Sequence, residues 1–471
     1  MKMSRTAIKE LTAAYRAVLK HAFIAAMGAV MVIGGGASAD DAKTRLVVGI
    51  GETKDLSGTH NGYVSENGGS VVHVLGVLNV ADGTQFTNNK TGGNGGTIFI
   101  EKQQGIVNIG ENTIFDGNTA MYDGGAIGNY GSAVIGQNVI FRNNHAEIDP
   151  DLKNVTSDWR PIGGGAISMG VNAQLDLSNV LFEGNTAGYD GGAIGTRRTL
   201  QKNEVSGFED LGNYIKIADS TFVGNRATGL TSDTENGSKV GGNGGAIANT
   251  FATTEIGGTT FAKNTAAKNG GAIYNHHFIN VDATGTDTGL GGVMTITDSV
   301  FSENSANGNG GAIYNTGTLT LNSDVFVGNS ANGFGGAVGS QGQLTLKGTM
   351  FANNTAMVGG AMYSGYNDSG VGRGSSEISG ATFTNNSAEY GAGAVANYGS
   401  MKIDIDNTKF VGNKVTHAIE QDGWNNRNLN SSVDGGGALF VGSASATSLN
   451  KTVFQNNSST TAGGAIVKRA D

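Results

Sequence analysis

Few side chains in this 471-residue chain have the type and spacing that chemistry needs. His276-His277 offers two adjacent imidazoles, but no third ligand follows at metal-binding spacing, so a solvated pair is the simpler reading. Asp404 and Asp406 alternate around Ile405 and should face outward from one strand. An acid/base pair needs two carboxyls that converge, and the coils with Thr320 and Thr345 at that position offer no partner. Trp159 with Arg160 has the composition of an interface hot spot; its alternative is a Trp folded back to cover core. Arg197-Arg198 could contact anionic glycans, or simply be solvated. Trp424 is the second tryptophan and lies in another long insertion. Catalytic residues, metal and cofactor are expected to be absent.

The elements that must position these residues are repeats. A Phe with Asn three residues on is followed by a Gly-rich G-G-A-[IVLM] partner, and the pair recurs twelve times. Well-spaced copies are Phe115/Asn118, Phe182/Asn185, Phe261/Asn264, Phe301/Asn304, Phe326/Asn329 and Phe351/Asn354. Repeats at about 25 residues mean a solenoid. The unit from Phe326 to Met350 splits into three short strand candidates between Gly/Asn turns: one around Phe326, one at Gly336-Ala337-Val338, and the alternating Gln343–Lys347. The fold expected is all-β: a right-handed parallel β-helix, a single-stranded solenoid of about twelve coils, pectin-lyase-like.

The residue five before the motif Phe is apolar in nine coils, for example Leu177, Ile217, Leu321, Leu346 and Ile405. These should form an aliphatic ladder inside the tube, with the Phe rings as a second and Ala-Ile of G-G-A-I as a third wall. The motif Asn is expected at positive φ, which Asn tolerates, and its amides should hydrogen-bond as a ladder. A second Asn series follows G-G-A-I at Asn129, Asn249, Asn275, Asn315 and Asn397.

Residues 1–39 read as a secretory signal peptide: a basic start, an apolar Ala22–Ile33 and an A-x-A site at Ala37-Ser38-Ala39. An N-terminal cap and first strands are assigned to 40–85, and the repeats with their insertions to 86–471. The net charge is −9. Residues 1–39 carry five Lys/Arg against Glu10, a net of four positive charges, which leaves −13 on the rest. That opposes a nucleic-acid partner. Cysteine is absent and proline supplies 2 residues, against 79 of glycine; no collagen period is present.

The alternating G-G-A-[ILV] and F-x-x-N tetrapeptides from Phe86 to Ile466 resemble the repeats of chlamydial polymorphic outer membrane proteins and, more broadly, autotransporter adhesin passengers. The signal segment implies Sec export; the resemblance implies a surface-exposed, right-handed β-helical passenger that contributes to adhesion, with a host-cell or neighbouring-cell protein or glycan as partner. It also implies an outer-membrane translocation barrel, in cis if the sequence is a fragment and otherwise in trans. Nothing after Phe454 has room for a barrel, which leaves a fragment, a barrel on a separate polypeptide or a simply secreted relative; a fragment is the expectation, since the last G-G-A-I strand, Gly463 to Ile466, ends without a capping segment. Those relatives tend to contain cysteine, which points to another Gram-negative lineage. The alternative reading is a secreted β-helix that binds or cleaves polysaccharide, as pectate lyases do.

Overall fold

The computed structural model describes residues 45–65, 68–102, 104–147, 163–196, 212–231, 239–277, 291–365, 375–398, 402–417, 435–442, 445–460 and 462–468. The signal-peptide assignment lies outside them. Four parallel sheets run the length of the rod. The GGA sheet has 14 strands, from Leu46–Val48 to Ile466–Lys468, and each of the other three has 13. The chain passes from the GGA sheet to a long-strand sheet (as in Gln343–Lys347), then to a Phe sheet (Met350–Ala352), then to a short sheet (as in Ser330–Ala331), and back to the GGA sheet one coil on. This is a parallel β-helix. A small antiparallel hairpin, Leu230–Thr231 with Lys239–Val240, stands outside it.

Three strands per coil are expected from the sequence; there are four. The fourth follows the motif Asn and is only two residues long in most coils, as at Thr119–Ala120 and Ser305–Ala306. Its inward residue is a buried Ala in nine coils, among them Ala187 and Ala306. Two residues are too few to show alternation, but they turn the chain a fourth time and give the tube its narrow wall.

The core is a set of ladders. Twelve Phe rings stack from Phe86 to Phe454 with centroids 4.6–4.9 Å apart and planes within 11° of parallel. His60, one coil earlier, begins the stack 5.1 Å from Phe86. Strand spacing in a parallel sheet is about 4.8 Å, so stacked rings need no tilt to follow the backbone, and each pair adds ~0.5–1.5 kcal/mol to its burial. The aliphatic ladder is continuous as well. In the first three motif coils its member lies six residues before Phe (Val80, Ile109, Ile135), and Ile135 pairs in register with Leu177. There the connection from the long-strand sheet to the Phe sheet has four residues instead of two, for example between Ile109 and Ile114 against Ser178 and Leu181.

The motif Asn forms the expected amide ladder. Asn304 Nδ2 donates to Asn329 Oδ1 at 3.0 Å and to the Phe261 carbonyl at 3.0 Å, while Asn304 N–H also donates to Asn329 Oδ1 at 3.0 Å. Asn185 makes the same bonds to Asn225 and the Phe141 carbonyl, and Asn264 to Asn304 and the Phe222 carbonyl. The pattern recurs from Asn118 to Asn413, and every ladder Asn from Asn89 to Asn413 is fully buried. Only a side chain with both donor and acceptor at this length satisfies that geometry.

The expectation of positive φ at the motif Asn fails. None of Asn118, Asn185, Asn264, Asn304, Asn329 and Asn354 is left-handed; the residue before each one is. Those residues are Gly117 (φ 65°), Gly184 (φ 62°), Lys263 (φ 56°), Glu303 (φ 54°), Gly328 (φ 65°) and Asn353 (φ 55°). The corner has two residues; the first reverses the backbone so that the second can point its amide inward.

Two coils thus fill the left-handed corner with Lys263 and Glu303. A side chain there costs ~1–2 kcal/mol, and the exposed Lys263–Glu303 contact of 3.9 Å offsets little of it. Lys263→Gly is expected to stabilise its coil by about 1 kcal/mol, read as a higher thermal midpoint; an unchanged or lower midpoint would contradict the corner strain.

Candidate functional site

The four corners of the coil are not treated alike by the sequence. The connection from the Phe sheet to the short sheet is two residues in every coil, from Asn61–Val64 to Gln455–Ser458. The connection from the long-strand sheet to the Phe sheet never exceeds four. All long insertions open at the two remaining corners. Ala146 to Ile167, Ala227 to Ile247 and Val415 to Leu439 lead into the GGA sheet; Thr196 to Asn213, Asn275 to Val293 and Ser364 to Ser375 lead out of it. The insertions therefore bracket one face of the rod. Trp159 and Arg160, Arg197 and Arg198, and Trp424 all belong to these insertions and lie outside the described residues. The repeat residues themselves do not reach the surface: Phe115, Phe182, Phe261, Asn185 and Asn264, like their counterparts in the neighbouring coils, are fully buried and hold the coils in register.

The bracketed face carries a feature that sequence reading missed. Outside the tube, Phe334, Tyr363, Tyr398 and Phe440 stack coil upon coil, with centroids at 4.8, 5.6 and 4.7 Å. With Val358, Ala392 and Ala396 they make a second apolar cluster, separate from the core. Tyr274 and Tyr314 stack at 5.9 Å further toward the N-terminus. Gly339, without a side chain, leaves room beside the Tyr314 ring. The signal was an aromatic one residue after G-G-A-[IM], visible at Tyr274, Tyr314 and Tyr363.

Beside this seam runs an Asx column just before the paired glycines. Asn243 donates to Asp190 Oδ1 through its backbone N–H (2.7 Å) and its Nδ2 (3.1 Å). Asn269 N–H donates to Asn243 Oδ1, Asn309 N–H to Asn269 Oδ1, and Phe334 N–H to Asn309 Oδ1. Burial pushes the Asp190 carboxyl up to about 6, against the opposing pull of the Asn243 donors and Lys268. Tyr274 is pushed well above its ordinary value by the same desolvation, with Asp190 adding to it.

His276 stacks on Tyr274 at 5.1 Å, and its Nδ1 lies 2.7 Å from the Tyr274 hydroxyl. The His277 backbone N–H donates to Thr316 Oγ1 at 2.8 Å. The pair thus tethers an insertion stem to the seam. Among the described residues no group of three His, Asp or Glu could hold a metal ion.

Asp404 and Asp406 do face outward, on the long-strand sheet. Contrary to expectation, the neighbouring coil does place one carboxylate beside them: Glu377 pairs in register with Asp404, while Ser379 stands opposite Asp406. Thr320 and Thr345 belong to coils further away. Asp404 is occupied, however. Lys402 Nζ is 2.7 Å from its Oδ2, Ser448 Oγ donates to its Oδ1 at 2.6 Å, and these contacts, Lys402 first, hold its carboxyl below the usual range.

The family model of the Chlamydia polymorphic membrane protein repeat matches at 112–130, 179–197, 258–276, 298–316 and 451–467. This chain carries that repeat. Every match begins three residues before a ladder Phe, at a left-handed corner such as Asn112, Asn179 or Asp298. It then runs through the Phe sheet and short sheet into the GGA sheet. The polymorphic membrane protein repeat is therefore the recurrent wall of the coil, and it leaves out the long-strand sheet. None of the curated proteins matches the chain. Among solved structures, tailspike protein 3 of bacteriophage CBA120 is similar at 13% identity and a TM-score of 0.38. The alignment covers 82% of this chain and 57% of the tailspike, so the chain spans little more than half of that protein's length.

Proposed function

We propose that this chain is the displayed, adhesive part of an outer-membrane protein of the autotransporter type. It binds a host-cell or neighbouring-cell protein or glycan through the side of the rod that the insertions bracket. The observation that carries this reading is the confinement of every long insertion to the two corners of the GGA sheet. Repeat proteins place variation where it meets a partner and keep stacking positions constant. The membrane-protein family of the repeat supports surface display, with a translocation barrel as partner in cis or in trans. The net charge of −9 suits an exposed acidic rod and no nucleic-acid partner.

Trp159→Ala and Trp424→Ala test which insertion supplies the anchor. A buried interface Trp is worth ~2 kcal/mol or more, so binding of the purified chain to cultured epithelial cells should fall at least about tenfold in one variant, with its melting profile unchanged. If both bind like the parent, the tryptophans are not the anchors. A variant that melts early would instead place its Trp against the rod.

A further inference from the structure

The outward face of the Phe sheet points to a second interaction surface, independent of the adhesive reading. Its outward column just before each ladder Phe runs in register from Ile114 to Thr382, nine coils without a charge. Val300, Val325 and Met350 lie at its centre, half-buried. The column just after each Phe is uncharged from Val223 to Val411. Both corners that flank this sheet are the short ones, so no long insertion leaves the coil at its edges. The other described faces differ. The long-strand sheet carries Asp176, Lys216 and Glu255 outward in neighbouring coils, and the short sheet is mostly Thr and Ser outward.

Over the eight coils from Phe182 to Phe410 the strip is about 38 Å long at 4.8 Å per coil. With a width on the order of 15 Å it offers roughly 600 Å² per rod, the lower end of a standard interface. Both columns are uncharged over the six coils from Phe222 to Phe383, and the coils that flank these carry opposite charge: Glu183 on one side and Lys409 on the other. Arg142 near the first end is already paired with Asp116 at 2.8 Å. A lipid surface fits poorly, because the corners along the strip mix Lys263 with Glu303 and Asp298 and the chain is acidic.

We infer that this strip packs against the same strip of a second copy, with the two rods antiparallel. A two-fold axis between the Phe301 and Phe326 coils sets Val300 and Ser302 over Val325 and Val327, and brings the Glu183 coil over the Lys409 coil. Parallel rods would set Glu183 on Glu183 and Lys409 on Lys409. The contact is isologous and closes on itself.

Sedimentation of the purified chain at 1–100 μM tests this. A monomer–dimer equilibrium is expected, and Val325→Lys should raise its dissociation constant at least 100-fold while the melting profile stays that of the parent. Val134→Lys, on the long-strand sheet, serves as a control and should leave the dimer intact. Glu183→Lys should weaken the dimer, and adding Lys409→Glu should restore it. A chain that stays monomeric at 100 μM, or a dimer indifferent to Val325→Lys, overturns the proposal. So does binding to phosphatidylcholine vesicles by a monomer that Val325→Lys abolishes. If Val325→Lys misfolds, the charge swap decides alone.

Discussion

Gly311→Ala is expected to break the rod at its coil. The second glycine of each pair packs its backbone directly under the next coil: a Cβ on Gly311 would meet the Gly336 carbonyl oxygen and the backbone of Ser330. The same clash with a glycine carbonyl of the next coil would occur at Gly271, Gly336 and Gly360. These obstacles are backbone, held by hydrogen bonds such as Gly311 N–H to the Gly335 carbonyl at 3.0 Å. They cannot swing away as a side chain could. Separating the coils would stretch the adjacent Asn and Phe ladders, so the cost should exceed about 4 kcal/mol, the range of exceptional substitutions. Solenoid stability is a sum of coil and neighbour terms, so the rod should divide into two independently melting segments or fail to fold. Thr318→Ala, at an exposed outward position on the strand that follows, is the control and should melt like the parent. A Gly311→Ala chain with a single parental transition would show that the coils can part.

Asp324→Ser should stabilise the rod, increasingly as pH rises from 4 to 8. The residue two before each ladder Phe is a hydroxyl in most coils. Ser220 Oγ donates to the Ala218 carbonyl and accepts the Val180 N–H; Thr259 and Ser299 repeat the first bond and accept from Ser220 and Thr259. Asp324 stands in this column, fully buried, with Oδ1 accepting the Ser299 N–H at 2.8 Å and no partner for Oδ2. A protonated carboxyl can copy the hydroxyl, offering one acceptor and one donor; a carboxylate cannot. Burial first, with Asp298 adding to it and the backbone donors of Ser299 and Asn322 opposing, pushes the carboxyl up to about 8. The folded chain therefore holds a proton that the unfolded chain releases near 3.8. Below that value both states are protonated and Asp324 costs nothing. Between about 4 and 8 the unfolded state gains from ionising, and stability falls by up to ~1.4 kcal/mol per pH unit. Above about 8 both states are ionised and the loss is complete, on the order of 5 kcal/mol. The thermal midpoint of Asp324→Ser should match the parent at pH 4 and exceed it clearly at pH 8. Equal midpoints at both would mean that the carboxylate is accommodated.

What can be read along the chain is whatever repeats at fixed spacing in elements long enough to alternate. The Phe ladder, the aliphatic ladder and the G-G-A wall are all visible, because Phe326, Leu321 and Leu319 keep their distances from coil to coil. The short sheet is not, since two residues such as Ser305–Ala306 carry no period; the Asn-Thr-Ala or Asn-Ser-Ala that follows many of the motif Phe residues is its only mark. The left-handed corner is read one residue late because Asn is tolerated at both positions, as in Asn88-Asn89 and Asn353-Asn354. Gly184-Asn185 and Lys263-Asn264 show the division of labour more plainly, since only the second position there has an amide to give the ladder. Three coils fall outside the aliphatic count because a four-residue corner shifts Val80, Ile109 and Ile135 by one. The Glu377–Asp404 pairing is legible, since each residue lies six before its ladder Phe; of the seam only Tyr363 and Phe440, each directly after G-G-A-[ML], carry a mark, while coils of unequal length hide Phe334 and Tyr398. The insertions holding Trp159 and Trp424 are legible as departures from the repeat, and the face they share emerges only once the coil has four sides.

The most direct test of the adhesive face is to shorten insertions. The segments 148–162 and 418–434 can be cut back, singly and together, to the minimal link found between Ala331 and Val338. Binding of the purified chain to epithelial cells is then compared with that of a Val134→Lys, Thr345→Lys variant of the long-strand face. The shortened rod is expected to keep its melting profile and lose binding, while the surface variant binds like the parent. Full binding by the doubly shortened rod, with loss in the surface variant, would contradict this and move the adhesive surface to the long-strand sheet.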